Sequence, residues 1–150
     1  MEAEVYPDEH VARFITENFV PVKAHVKEQP ETFRRFGAPW TPTQLVLDPS
    51  GKERFRIEGF LPAEDFLAQL KMALGRLAFE GERFSEAEQR FHNVCREHPS
   101  ASAAPEACYW AGVSEYKERH EPSPLKETAE LLMKRYPESE WTKKASVWAG

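Results

Sequence analysis

Two cysteines, Cys95 and Cys108, are the only thiols in the 150-residue chain. Thiol–disulfide chemistry needs an activated thiolate, usually at a helix N-terminus, with a resolving thiol close by. The two cysteines are thirteen positions apart and make no Cys-x-x-Cys. Both fall on apolar stripes of helix-patterned segments. They read as packed thiols rather than a disulfide, since free cysteine is often buried and disulfides are rare in the cytoplasm. The five histidines, His10, His25, His92, His98 and His120, have no metal-ligand spacing with the cysteines. No metal site and no cofactor are expected. The carboxylate pairs Glu64-Asp65, Glu86/Glu88 and Glu138/Glu140 read as solvated helix faces and N-terminal charge rather than acid–base pairs. No Gly-x-Gly-x-x-Gly, Walker or Gly-x-Ser-x-Gly sequence occurs. The chain as written is therefore not expected to be an enzyme.

Binding chemistry has two candidate locations. The run Trp40-Thr41-Pro42 puts an amphipathic indole beside a turn-forming proline. Trp40 is either an exposed anchor for a partner or a cover for the core, because Trp favours sites with one wet edge. Further on, Tyr109, Trp110 and Tyr116 are candidates for a peptide groove, although most aromatics there should pack helix against helix. The net charge is -5 with acids and bases interspersed, so no basic stripe invites nucleic acid. No apolar run reaches the eighteen or so residues of a membrane span. The opening Met1-Glu2-Ala3-Glu4-Val5-Tyr6 lacks a hydrophobic signal region, which points to the cytoplasm.

Alternating patterns supply the elements that must position these residues. Asp8 is a candidate N-cap for a helix carrying Val11, Phe14, Ile15 and Phe19. Val20, Val22, Ala24 and Val26 alternate with Pro21, Lys23, His25 and Lys27, the pattern of a half-buried strand. Pro21 favours an edge or the strand's beginning. Pro30 to Phe36 is a short helix stopped by Gly37. Gln44–Asp48 and Glu53–Glu58 flank Asp48-Pro49-Ser50-Gly51, a type I turn pattern, and predict an antiparallel hairpin. Gly59 marks a bulge or the strand's end. A long helix over 62–79 follows, with a stripe of Phe66, Leu67, Leu70, Ala73, Leu74 and Leu77. Phe84, Ala87, Phe91, Val94 and Cys95 stripe the next helix. Helices are expected over 106–118, 125–136 and 141–148.

The order of these segments resembles the thioredoxin-like family over residues 1 to about 75. The opening resembles the segment that follows the family's cysteines, and Asn18-Phe19-Val20-Pro21-Val22-Lys23 its helix exit and next strand. Thr41-Pro42 matches its cis-proline position, and Gly59-Phe60-Leu61-Pro62 the turn into its last helix. The resemblance implies that the backbone before Pro42 pairs with extended peptide; without a redox centre the cis bond also reads simply as shaping a tight turn. The family's first strand and its Cys-x-x-Cys are missing here. In the family that strand lies between the counterparts of Val20–Val26 and Gln44–Asp48. Those two strands are then expected to pair directly, or to take a strand from a second chain, or the chain is the remainder of a longer gene product.

The second half resembles tetratricopeptide hairpins. Leu74-Gly75, Phe84, Ala87, Phe91 and Pro99 fit one copy, and Ala107, Tyr109, Trp110, Gly112, Tyr116, Ala129 and Pro137 a weaker second. The expected architecture is α/β followed by all-α: an incomplete thioredoxin-like domain over 1–75 and tetratricopeptide-like hairpins over 76–150, with the 62–79 helix shared. The leading functional expectation is a redox-inactive interaction module for a protein or peptide partner, or for a second copy in a homodimer. The alternative is the remainder of a thiol–disulfide oxidoreductase whose Cys-x-x-Cys lies upstream of Met1.

Overall fold

A computed structural model describes residues 1–150. The chain divides into two compact units, Met1–Leu67 and Ala68–Gly150. In the first, Asp8 caps α1 (Glu9–Asn18): its carboxylate accepts the backbone N–H of His10 at 3.0 Å and of Val11 at 3.2 Å. These are donors that the first helical turn leaves without partners. α2 (Pro30–Phe36) begins on proline and ends at Gly37 in the left-handed conformation, φ +57°.

β1 (Thr43–Leu47) and β2 (Glu53–Glu58) form an antiparallel hairpin, with Thr43 opposite Glu58 and a register shift between Val46 and Leu47. The irregularity falls there rather than at Gly59, which follows β2 with φ +89°. The hairpin turn is held by Asp48, whose Oδ1 accepts the N–H of Ser50 at 2.9 Å and of Lys52 at 3.1 Å. Arg54 Nε donates to Asp48 Oδ2 at 2.8 Å. Val46 and Ile57 point inward and are buried. On the other face Arg56 pairs with Glu53 at 2.7 Å and Glu58 at 3.2 Å and donates to the carbonyl oxygens of Phe36 and Gly37. That guanidinium ties the hairpin to the end of α2.

The strand expected over Val20–Lys27 does not form. The segment is non-repetitive backbone closing in a turn, and the sheet has two strands, β1 and β2 alone. Val20 and Val22 stand 91% and 89% exposed. The alternation was present, but a strand needs a neighbour to take its amides and carbonyls, and Pro21 has no N–H to offer. The direct pairing of this segment with β1 is likewise absent.

α3 (Ala63–Glu80) crosses the boundary between the units. The second unit continues with α4 (Phe84–Glu97), α5 (Ala104–Arg119), α6 (Ser123–Arg135), α7 (Glu140–Ala145) and a short 3-10 turn, Ser146–Trp148. Its core is rich in alanine: Ala87, Ala104, Ala107, Ala111 and Ala129 are fully buried. Glycines allow two close approaches. A Cβ on Gly75 would lie 2.6 Å from Phe91 Cε1, and one on Gly112 would lie 2.0 Å from Thr128 Oγ1. No helix is long and apolar enough to cross a membrane.

Cys95 of α4 and Cys108 of α5 form a disulfide, with Cα atoms 5.0 Å apart. The expectation of two packed thiols is thus corrected. Both residues are buried, at 3% and 4% exposure, as the apolar stripes implied. Burial does not distinguish a thiol from a bridge; the separation of the facing helices does.

Candidate functional site

The residues singled out in the sequence fall at separate places. In the first unit, the Thr41–Pro42 peptide bond is cis. The loop is pinned at both ends: Thr43 Oγ1 donates to the Trp40 carbonyl at 2.7 Å, and the Gly59 N–H donates to the Pro42 carbonyl at 2.8 Å. Thr41 is exposed, and Trp40 is 72% exposed, so its indole covers no core. The loop leads directly into β1, which is paired on one edge by β2 and has no strand on the other. Gln44 of β1 donates through Nε2 to the Tyr6 hydroxyl at 3.1 Å, while its buried Oε1 has no hydrogen-bond partner. Tyr6 in turn meets Phe66 edge-on, ring centres 5.9 Å apart. An open strand edge beside an exposed indole is chemistry for binding extended backbone.

In the second unit, Tyr109 and Trp110 join one aromatic cluster. Tyr109 stacks on Trp148 at 4.8 Å and lies 5.1 Å from Trp141, and Trp110 meets Phe79 edge-on at 5.2 Å. The cluster is served by cations: Arg76 lies over Trp110 at 4.6 Å and Lys144 over Trp141 at 4.0 Å. Tyr116 makes none of these ring contacts; it is seven residues along α5 from Tyr109 and 37% exposed. Glu106 sits beside Trp110, and burial pushes its carboxyl above the usual range against the pull of Arg76 and Lys144. Tyr109, Trp110, Trp141 and Trp148 are all half-buried, and their ring contacts join α3, α5, α7 and the 3-10 turn.

A third group went unnoticed in the sequence. Glu88 and His92 stand one turn apart on α4, and Glu115 approaches from α5. One ligand atom from each lies within 4.8 Å of the others. Glu88 and His92 are 3.9 Å apart, and Arg119 pairs with Glu115 at 2.8 Å. Burial lowers the imidazole's affinity for a proton, opposed by Glu88 and aided by Arg96. A cavity of about 110 Å³ adjoins the group, lined by His92, Glu115, Glu127, Thr128 and the Cys95–Cys108 bridge. The Glu88-x-x-x-His92 spacing was the available signal.

Compared with known proteins, residues 1–74 match the family described as a thioredoxin-like domain. No curated protein and no solved structure matches the chain.

Proposed function

We propose that this chain, whose residues 1–74 form a thioredoxin-like domain, is a protein-interaction module that takes up an extended strand at the open edge of β1. The observation that carries this is the sheet itself: β1 pairs with β2 alone. Beside that, Val20 and Val22, on a segment patterned as a strand, project into solvent. An unpaired edge, in a unit that also exposes apolar residues on a strand-patterned segment, gains both hydrogen bonds and buried area from a strand. A second copy of this chain is the partner to test. The helical hairpins of the second unit, which resemble tetratricopeptide pairs, offer a further partner surface in this reading.

Sedimentation across a wide concentration range, with hydrogen exchange read at β1, is the test. Association should rise with concentration, and amides of β1 and Val20–Val26 should gain protection together. The double variant Val20→Lys/Val22→Lys should weaken association at least tenfold while leaving stability within about 0.5 kcal/mol, as befits surface positions. A strictly monomeric chain with unchanged exchange would refute the reading.

The thioredoxin-like match favours a second reading. In it, the domain belongs to a thiol–disulfide oxidoreductase whose Cys-x-x-Cys and first strand lie upstream of Met1, and that strand fills the same edge. The chain has no cysteine before Cys95. Insulin reduction by the chain extended with its upstream reading frame tests it: turnover supports the enzyme, and a frame without the two cysteines removes it.

A further inference from the structure

We propose that Glu88, His92 and Glu115 bind one divalent transition-metal ion of the zinc class between α4 and α5. Residues four apart on a helix share a face, so Glu88 and His92 present a carboxylate and an imidazole side by side. Glu115 adds a second carboxylate from the neighbouring helix. Bonds of about 2.0–2.2 Å to zinc space the ligand atoms of a tetrahedron by roughly 3.4 Å. The 4.8 Å limit on the present separations leaves at most about 1.4 Å for side-chain rotation to close on an ion with bonds of that length. Glu88 and His92, at 3.9 Å, are too far apart to hydrogen-bond. They are held close without satisfying one another.

The donor set decides the class of ion. Magnesium and calcium take oxygen ligands almost exclusively, whereas an imidazole with carboxylates suits zinc and its neighbours. The adjoining cavity, about 110 Å³, far exceeds the roughly 10–15 Å³ a water needs. It leaves a coordination position open to solvent or to a small ligand, with Glu127 on its wall. Arg119, which now pairs with Glu115, is more than half exposed and free to swing away when a cation arrives. The disulfide is the preorganising element. It joins α4 to α5 three residues after His92 and seven before Glu115, so the two ligand-bearing helices cannot drift apart. As a disulfide it offers no thiolate to compete for the metal.

The test is calorimetric titration of the chelator-treated, non-reduced chain with zinc chloride. One equivalent should bind with a dissociation constant in the micromolar range or tighter. His92→Gln and Glu115→Gln should each weaken binding about tenfold or more. His10→Gln and His120→Gln, on exposed histidines, should leave it unchanged, and magnesium chloride should give no saturable heat. Zinc should raise the unfolding temperature of the parent chain but not of His92→Gln. If His92→Gln fails to fold, Glu88→Gln carries the same expectation. Three outcomes overturn the proposal: no saturable zinc binding, parental affinity in His92→Gln, or binding that appears only after Cys95–Cys108 is reduced.

Discussion

The first unit is thinly cored and open at a sheet edge; the second is densely cored and covalently tied. Of the 23 buried apolar residues, five lie in residues 1–67: Val5, Val11, Val46, Ile57 and Phe66. A two-stranded sheet buries little on its own, so the first unit depends on polar fixtures such as Asp48 in its turn and Arg56 at the end of α2. In the second unit small residues let helices approach closely, and one large ring, Phe91, fills the space that Gly75 leaves. The lesson is that two halves of one chain can carry equally clear sequence patterns and differ in whether each pattern finds its neighbour. The half whose pattern lacks a neighbour is the one left with an open strand edge.

The sharpest way to break this contrast is to remove one core residue from each half. Phe91→Ala should cost about 3–5 kcal/mol, because the fully buried ring leaves a cavity that a backbone glycine cannot fill. Ile57→Ala, at a site 6% exposed, should cost only about 2 kcal/mol, the low end for such truncations, since its sheet can relax. Urea unfolding of the second unit is read by the fluorescence of Trp110, Trp141 and Trp148, and that of the first by hydrogen exchange at β1 and β2, because Trp40 is already exposed. Equal losses for the two variants would erase the distinction drawn between the halves.

Next in size is the bridge. Opening a loop of about fifteen residues removes roughly 3 kcal/mol in the chain-entropy account. The double variant Cys95→Ala/Cys108→Ala should therefore lower the urea midpoint of the second unit and leave exchange at β1 untouched. The unmodified chain should titrate no free thiol. Two titratable thiols, or a variant of parental stability, would show that the second unit needs no tie.

How much of this was legible in the sequence varies with the kind of information each feature needs. Local signals were read well. Asp8 as a cap, Pro30 and Gly37 as the bounds of α2, the Asp48–Gly51 turn and the stripe of α4 lie where spacing put them, whereas in α3 Leu67, Leu74 and Leu77 are half-buried and Ala68, Met72 and Ala78 are buried in addition to Phe66, Leu70 and Ala73. Features that depend on a partner were not. The Val20–Val26 alternation reports a face suited to burial, not the presence of a strand to pair with. The Cys95–Cys108 bridge depends on the distance between two helices, and a stripe does not supply that distance. The ligand group was half legible: Glu88 and His92 share a helix face by spacing alone, whereas Glu115 joins them only through the register of α4 on α5. Trp40 was singled out by the amphipathic chemistry of its indole, and Thr41 and Pro42 through the resemblance to a cis-proline loop.

The smallest expected effect concerns charge. In the first unit the displaced titrations are led by hydrogen bonds to a partner: Ser50 on Asp48, and Arg56 on Glu53, each lowering a carboxyl. Burial leads only in the second unit, where it raises Glu106 and lowers His92. For Glu106 the sign follows from proton counts. Its folded-state value lies above the unfolded one, so between the two the folded chain holds more protons and stability falls as pH rises. Below the ordinary glutamate range the contribution is fully favourable; above the raised value the cost of a half-buried charge is constant. Arg76 and Lys144 oppose the shift and Glu140 adds to it, with the Trp110 indole also facing the carboxyl. Glu106→Gln keeps the shape and removes the titration. It should be modestly more stable than the parent near neutral pH, and the difference should vanish toward the acid end, as read from paired urea midpoints. A less stable Glu106→Gln at neutral pH would mean that Arg76 and Lys144 outweigh burial. The electrostatics of the second unit would then follow the partner-led rule of the first.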